Sequence, residues 1–254
     1  MANLIRHTVE PKRLLLTWQS SDEKATRTRF AVGELKNQNP PSFRYFDATE
    51  FEEVNGTNLA SIHDIGFKQY PAFDPTRAEH NDGVLGAFMR RLPPRGRKDF
   101  DQYKHHFRIS PDLSVSDFQL LAMTEAKLPS DGFALVDPLD QTCSARDLLV
   151  EVVGHRHYAS ECDLSNGMGR QVELSSEPEN PKDPNAVVVM LSGQKLGYIN
   201  RFQAKSFLLW LRENRVLATV ERLNGEPGYP RLYIFARVAA KEGLGGSSGK
   251  NRSG

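Results

Sequence analysis

Cysteine is scarce: Cys143 and Cys162 are the only two in 254 residues. Two cannot build a disulfide framework, which favours a reducing compartment. Long apolar runs are also absent, as is a charged segment leading into a short apolar one. The sequence therefore predicts neither a membrane span nor a signal peptide, and a bacterial-type cytoplasmic location is expected. An excess of one charge is missing too, since 33 Lys and Arg face 32 Asp and Glu for a net +1. Up to residue 145 there are 18 basic and 20 acidic residues; beyond it there are 15 and 12, a balance of +3. Such a mild tilt does not by itself identify a polyanion partner.

Catalytic motifs are lacking as well. The chain has no Gly-rich phosphate loop, no H-x-D catalytic loop, no D-F-G equivalent, no helicase motif and no G-x-S-x-G in a convincing context. A nuclease needs clustered carboxylates to hold divalent ions, whereas Glu173, Glu177, Glu179 and Asp183 straddle a turn and read as a solvated edge. His155, His157, Cys143 and Cys162 could be drawn as a zinc site, because strand alternation would put both histidines on one face. No C-x-x-C spacing accompanies them, and structural zinc sites usually show one. The expectation is a non-catalytic protein with no metal and no cofactor.

What is present is an ordinary globular balance, 39% hydrophobic and 26% charged. The length suits two domains, expected at residues 1–140 and 146–240, with a polar junction over 139–146. The Gly/Ser-rich residues 243–254 read as a disordered tail. In the second part, Leu148–Val153, Gln171–Ser175, Ala186–Leu191, Lys195–Ile199, Val216–Leu223 and Arg231–Val238 read as strands. Phe202–Arg212 places Ala204, Phe207, Leu208 and Leu211 on one helical face. Six short strands with one inserted helix predict a closed or nearly closed barrel, since closure removes exposed edges. In the first part, Arg13–Gln19, Thr28–Lys36 and Ser42–Asp47 alternate as antiparallel strands. Residues up to about 98 show no period, and Lys98–Phe107 and Ser116–Thr124 read as helices with Ser116 as an N-cap. The fold class is α+β, mostly β: an OB-like barrel after a β-rich N-terminal domain with two short helices.

The most specific block runs from Val152-Val153-Gly154-His155-Arg156-His157-Tyr158 to Glu177-Pro178-Glu179-Asn180-Pro181-Lys182-Asp183-Pro184-Asn185-Ala186-Val187, and closes with Leu196-Gly197-Tyr198-Ile199-Asn200-Arg201. Two prolines fix φ in the central turn, and Asn and Asp side chains bond back to the backbone, so a rigid hairpin is expected. On residue chemistry alone, Asp183 and Asn185 are turn formers.

These three ordered blocks resemble the HIRAN domain, found at the amino end of certain SNF2-type DNA-repair helicases and as stand-alone bacterial proteins. The resemblance implies an OB-like barrel that holds the 3′-hydroxyl end of single-stranded DNA. On that resemblance Asp183 accepts a hydrogen bond from the terminal 3′-OH, and Arg156 neutralises a phosphate. Tyr158, Tyr198 and His157 stack on terminal bases. Arg201 faces phosphate at the start of a helix, where backbone amides also favour anions. Lys182 stands where the family offers an aromatic ring and could contact phosphate instead. Tyr233 and Phe235 alternate onto one side of their strand and are expected to serve packing.

Arg90, Arg91, Arg95, Arg97 and Lys98 make Phe88–Phe100 the most basic stretch, read either as a phosphate patch or as a solvated, partner-facing loop. With Phe67–Pro71 and Ala126-Lys127-Leu128-Pro129-Ser130-Asp131-Gly132-Phe133, it loosely resembles the N-terminal subdomain of HipA-type toxin kinases, without the kinase machinery. The leading expectation is a binding protein whose barrel engages single-stranded DNA or a free 3′ end, with a possible protein partner at the N-terminal half. The alternative is an interaction adaptor of a toxin–antitoxin or defence system.

Overall fold

The computed structural model describes residues 3–20, 28–128, 130–139, 145–159, 164, 166–213, 215–226 and 228–240. The tail at 243–254, both cysteines and most of the 139–146 junction lie outside them.

The first part carries an antiparallel sheet of β1 (Arg13–Trp18), β2 (Phe30–Lys36), β3 (Ser42–Tyr45) and β4 (Phe133–Val136), in the order β3-β2-β1-β4. The first three strands lie where alternation places them. Against them pack α1 (Ala48–Asn55), α2 (Ala60–Asp64), α3 (Val84–Met89), α4 (Phe100–His106) and α5 (Asp117–Thr124). The last two helices follow the sequence pattern; the other three are additional. Ser116 caps α5 as its residue type suggests: its hydroxyl accepts from the Gln119 amide at 3.0 Å, and Gln119 Oε1 accepts from Ser116 N. Rings from strand, helix and loop fill the space between helices and sheet. Phe43 stacks on Phe73 at 4.6 Å and meets Phe88 edge-on at 5.5 Å.

Much of the basic stretch is committed internally. Arg91 is buried, pairs with both Asp131 oxygens at 2.6 and 3.0 Å and donates to the Ala126 carbonyl. Arg95 binds Asp117 and Arg97 binds Asp99.

The second part is a six-stranded antiparallel sheet of β5 (Arg146–Glu151), β6 (Gln171–Ser176), β7 (Val187–Leu191), β8 (Gln194–Tyr198), β9 (Val216–Glu226) and β10 (Tyr229–Val238), in the order β5-β10-β9-β6-β7-β8. Just past β5, Val153 exchanges two backbone hydrogen bonds with Tyr198 of β8, at 2.7 and 2.9 Å. That bridge joins the two outer strands and curls the sheet into a barrel. Val152, Val187, Val189, Val220, Leu232 and Ile234 fill its interior, and α6 (Arg201–Arg212) adds Ala204, Phe207 and Trp210. Tyr233 and Phe235 do share one side. It is the outer face of β10, so Phe235 is buried outside the barrel interior.

The two parts meet along that outer face. Lys127 reaches Glu151 at 2.8 Å, and Arg108 reaches Glu221, which also accepts from Asn3. Asp147 accepts from the backbone amides of Arg6 and His7 at 2.9 and 3.0 Å. Among the described residues, no helix is long and apolar enough to cross a membrane.

Candidate nucleic-acid interface

The closing bridge brings the three sequence blocks to one mouth of the barrel. Gly197 makes the approach possible. Its φ is +139°, and a Cβ there would sit 2.5 Å from the Val153 carbonyl oxygen, so only glycine lets the strands close.

Tyr198 presents its hydroxyl to a compact polar cluster. It donates to Glu177 Oε2 at 2.7 Å and accepts from Asn180 Nδ2 at 3.1 Å and Lys195 Nζ at 2.9 Å. Lys195 also donates to Glu177 Oε1 at 2.7 Å. The bonds from Lys195, Asn180 and Tyr198 pull the Glu177 carboxyl down to about 2, and Glu177 in turn raises the Lys195 ammonium. Burial pushes the Tyr198 hydroxyl up. Glu177 is therefore a firmly ionised anchor rather than part of a loose solvated edge. Above it the Tyr158 ring meets the Tyr198 ring at 6.3 Å and 64°, with the Lys195 ammonium 5.8 Å and 5.0 Å from their centroids.

Asn180 links this cluster to the turn. Its Oδ1 accepts from the Lys182 and Asp183 amides at 3.0 and 3.3 Å. Asp183 Oδ1 accepts from Asn185 N at 2.8 Å, the self-bonded turn that the residue types suggested. Asp183 Oδ2 has no hydrogen-bond partner among the described residues. Arg201 opens α6, half-buried, and donates to the Val54 carbonyl of α1 at 3.0 Å. Burial lowers its affinity for its proton, and the Asp183 carboxylate nearby opposes that.

Tyr158, Lys182, Asp183, Tyr198 and Arg201 thus belong to one rim. Arg156 and His157 lie beside Tyr158, where Arg156 Nε and His157 Nε2 are 3.3 Å apart. One expectation is corrected. His155 and His157 do not alternate along a strand, because Gly154, at φ +77°, starts a 3₁₀ turn over His155–His157. His155 turns inward, is 3% exposed and is bound through Nδ1 to the Leu196 carbonyl, while His157 points to solvent. Burial lowers the His155 pKa, which suits a neutral structural ring. Among the described residues no three His, Cys, Asp or Glu side chains converge at metal-binding spacing. Cys143 and Cys162 lie outside them.

Residue reading missed Glu177, Asn180 and Lys195 as site members. Glu177 and Asn180 stand in the quoted turn. Lys195 pairs with Glu177 across the sheet, a contact no local pattern reveals.

Residues 146–241 match the family model of the HIRAN domain. The HIRAN domain of human HLTF is similar in structure, with a TM-score of 0.32 and 22% identity, covering 38% of this chain and 77% of that one. A protein from Lactobacillus plantarum has a TM-score of 0.29 and 26% identity, covering 37% of this chain and 96% of that one. No curated protein matches the chain. Over residues 146–241 the chain is similar to the HIRAN domain. The match begins at Arg146 and leaves the N-terminal half outside it.

Proposed function

We propose that the barrel mouth binds single-stranded DNA at a free 3′-hydroxyl end and that the protein acts by binding, without catalysis. One observation carries this reading: Asp183 is held by Asn185 through one oxygen only, which leaves Oδ2 as an open acceptor in the turn that Asn180 ties to Tyr198, with Arg201 nearby. A terminal 3′-OH can donate to that oxygen; an internal nucleotide has no such hydroxyl. The two rings offer a stacking surface for the last bases, which tolerates any sequence. Arg201, desolvated and without a carboxylate within hydrogen-bond distance among the described residues, suits a phosphate, as do Lys182 and Arg156. His157 extends the flat surface.

The scarcity of cysteine suits a reducing, cytoplasmic setting, and the N-terminal half, with its loose HipA-type resemblance, serves as scaffold and possible partner surface. The decisive experiment compares short single strands ending in 3′-OH or 3′-phosphate. End reading requires tight binding to the first, loss with the second, and loss on Asp183→Asn. Equal, weak binding to both ends would favour an adaptor role instead.

A further inference from the structure

β9 and β10 outrun their neighbours. β10 pairs with β5 only from Tyr233 to Val238, and β9 pairs with β6 only at Ala218 and Thr219. The rows from Leu223–Leu232 to Glu226–Tyr229 therefore project past that pairing as a two-stranded arm, with the Arg222–Tyr233 row at its base. Opposed and alternate residues share a face, so Arg222, Arg231 and Tyr233 point the same way. That face turns toward the N-terminal half: Arg222 Nη1 donates to the His106 carbonyl at 2.7 Å, and its guanidinium lies 4.7 Å from the Tyr233 centroid.

Charge along this seam is unevenly compensated. Lys127 is matched by Glu125 and Glu151, and Arg108 by Glu221. Arg222 and Arg231 meet no carboxylate within hydrogen-bond distance among the described residues. Arg222 is half-buried; burial, with Arg108, lowers its pKa against the opposing pull of Tyr233 and Glu221. No carboxylate bonds directly to either guanidinium, so an anion placed against them would offset part of the desolvation of Arg222. The arm also runs into the mouth. Val152 N donates to the Leu232 carbonyl at 2.8 Å, the next residue pairs with Tyr198, and the turn bearing Arg156 follows.

We propose that this arm face, centred on Arg222, Arg231 and Tyr233, is a second anion-binding surface that takes the phosphodiester backbone of a DNA strand upstream of the end held at the mouth. It rests on the reading of the mouth as a DNA-end site. Such barrels engage roughly 4–16 nucleotides, so a strand whose end is held at the mouth extends beyond it.

The test measures full-chain binding to fluorescent oligo-dT of four and twelve nucleotides, both with free 3′-OH, across a salt series. Wild type should bind the twelve-mer about ten-fold tighter. Arg222→Ala/Arg231→Ala should abolish that gain, leave four-mer binding unchanged and reduce the salt slope by roughly 1.4, since each single-strand phosphate contact contributes about 0.7. Arg231→Ala alone changes an exposed side chain and should remove about half of the slope difference with an unaltered Tm. No length gain in wild type, or a gain that survives the double substitution, overturns the proposal. If wild type ignores the four-mer yet binds the twelve-mer through these arginines, the arm stands and the mouth reading falls.

Discussion

Val153 and Tyr198 exchange a reciprocal pair of backbone hydrogen bonds, so the residues that close the barrel also set out its binding rim. Closure holds the Tyr198 ring beside Tyr158 and aims its hydroxyl at Glu177, which in turn is tied to the Asp183 turn through Asn180.

Gly197→Ala tests that closure. An added Cβ would collide with the Val153 carbonyl, and φ of +139° disfavours any side chain. A loss of about 2–3 kcal/mol in urea unfolding is expected, with weaker DNA binding at matched folded fraction. Wild-type stability would show that the bridge is dispensable.

Tyr158→Ala removes a ring from the rim while leaving the backbone bridge intact. Losing one stacking platform costs about 1–3 kcal/mol per base, or about 5- to 150-fold in Kd for a 3′-OH oligonucleotide. Fluorescence anisotropy reads the change, and Tyr158→Phe should restore most of it.

The acid limb of stability has a definite sign. The Glu177 carboxyl is lowered from 4.5 to about 2 in the folded protein by Lys195, Asn180 and Tyr198. Its stabilisation is therefore fully present above about 4.5 and is lost as pH falls through about 2. In Glu177→Gln this part of the slope should vanish, leaving a flatter dependence of unfolding midpoint on pH between about 4.5 and 2. Identical slopes in the two proteins would remove Glu177 from the acid transition.

Arg91→Ala should destabilise the N-terminal half by about 3 kcal/mol, because it removes one partner of a largely buried pair and uncaps the Ala126 and Phe133 carbonyls. DNA binding, measured where the protein stays folded, should hold. A selective loss of binding with unchanged Tm would instead make the basic stretch a phosphate contact.

The barrel was legible because its physics is local. Val- and Ile-rich segments bounded by Gly, Pro and Asn gave six strands within two or three residues of those observed, and the apolar spacing of Ala204 and Phe207 gave α6. The N-terminal half hid α1 to α3, since these helices are short and Phe67 and Phe73 reach its core from loops rather than from periodic faces. One signal was there to be read: Asp47 and Glu50 form the same reciprocal cap as Ser116 and Gln119. Turn chemistry around Asp183 was readable too. The Glu177–Lys195 pair and the Arg201–Val54 contact depend on segments 18 and 147 residues apart, and only the fold supplies them.

The contacts of Asp147, Glu151 and Glu221 bear on how this molecule can be dissected. Each of these carboxylates belongs to the barrel segment, yet each takes partners from residues before it: Arg6 and His7, Lys127, and Arg108 with Asn3. A fragment cut at Arg146 would carry all three acids away from those donors. The barrel is bound to its neighbour as a stone is to an arch, and melting should run through both sheets in one step.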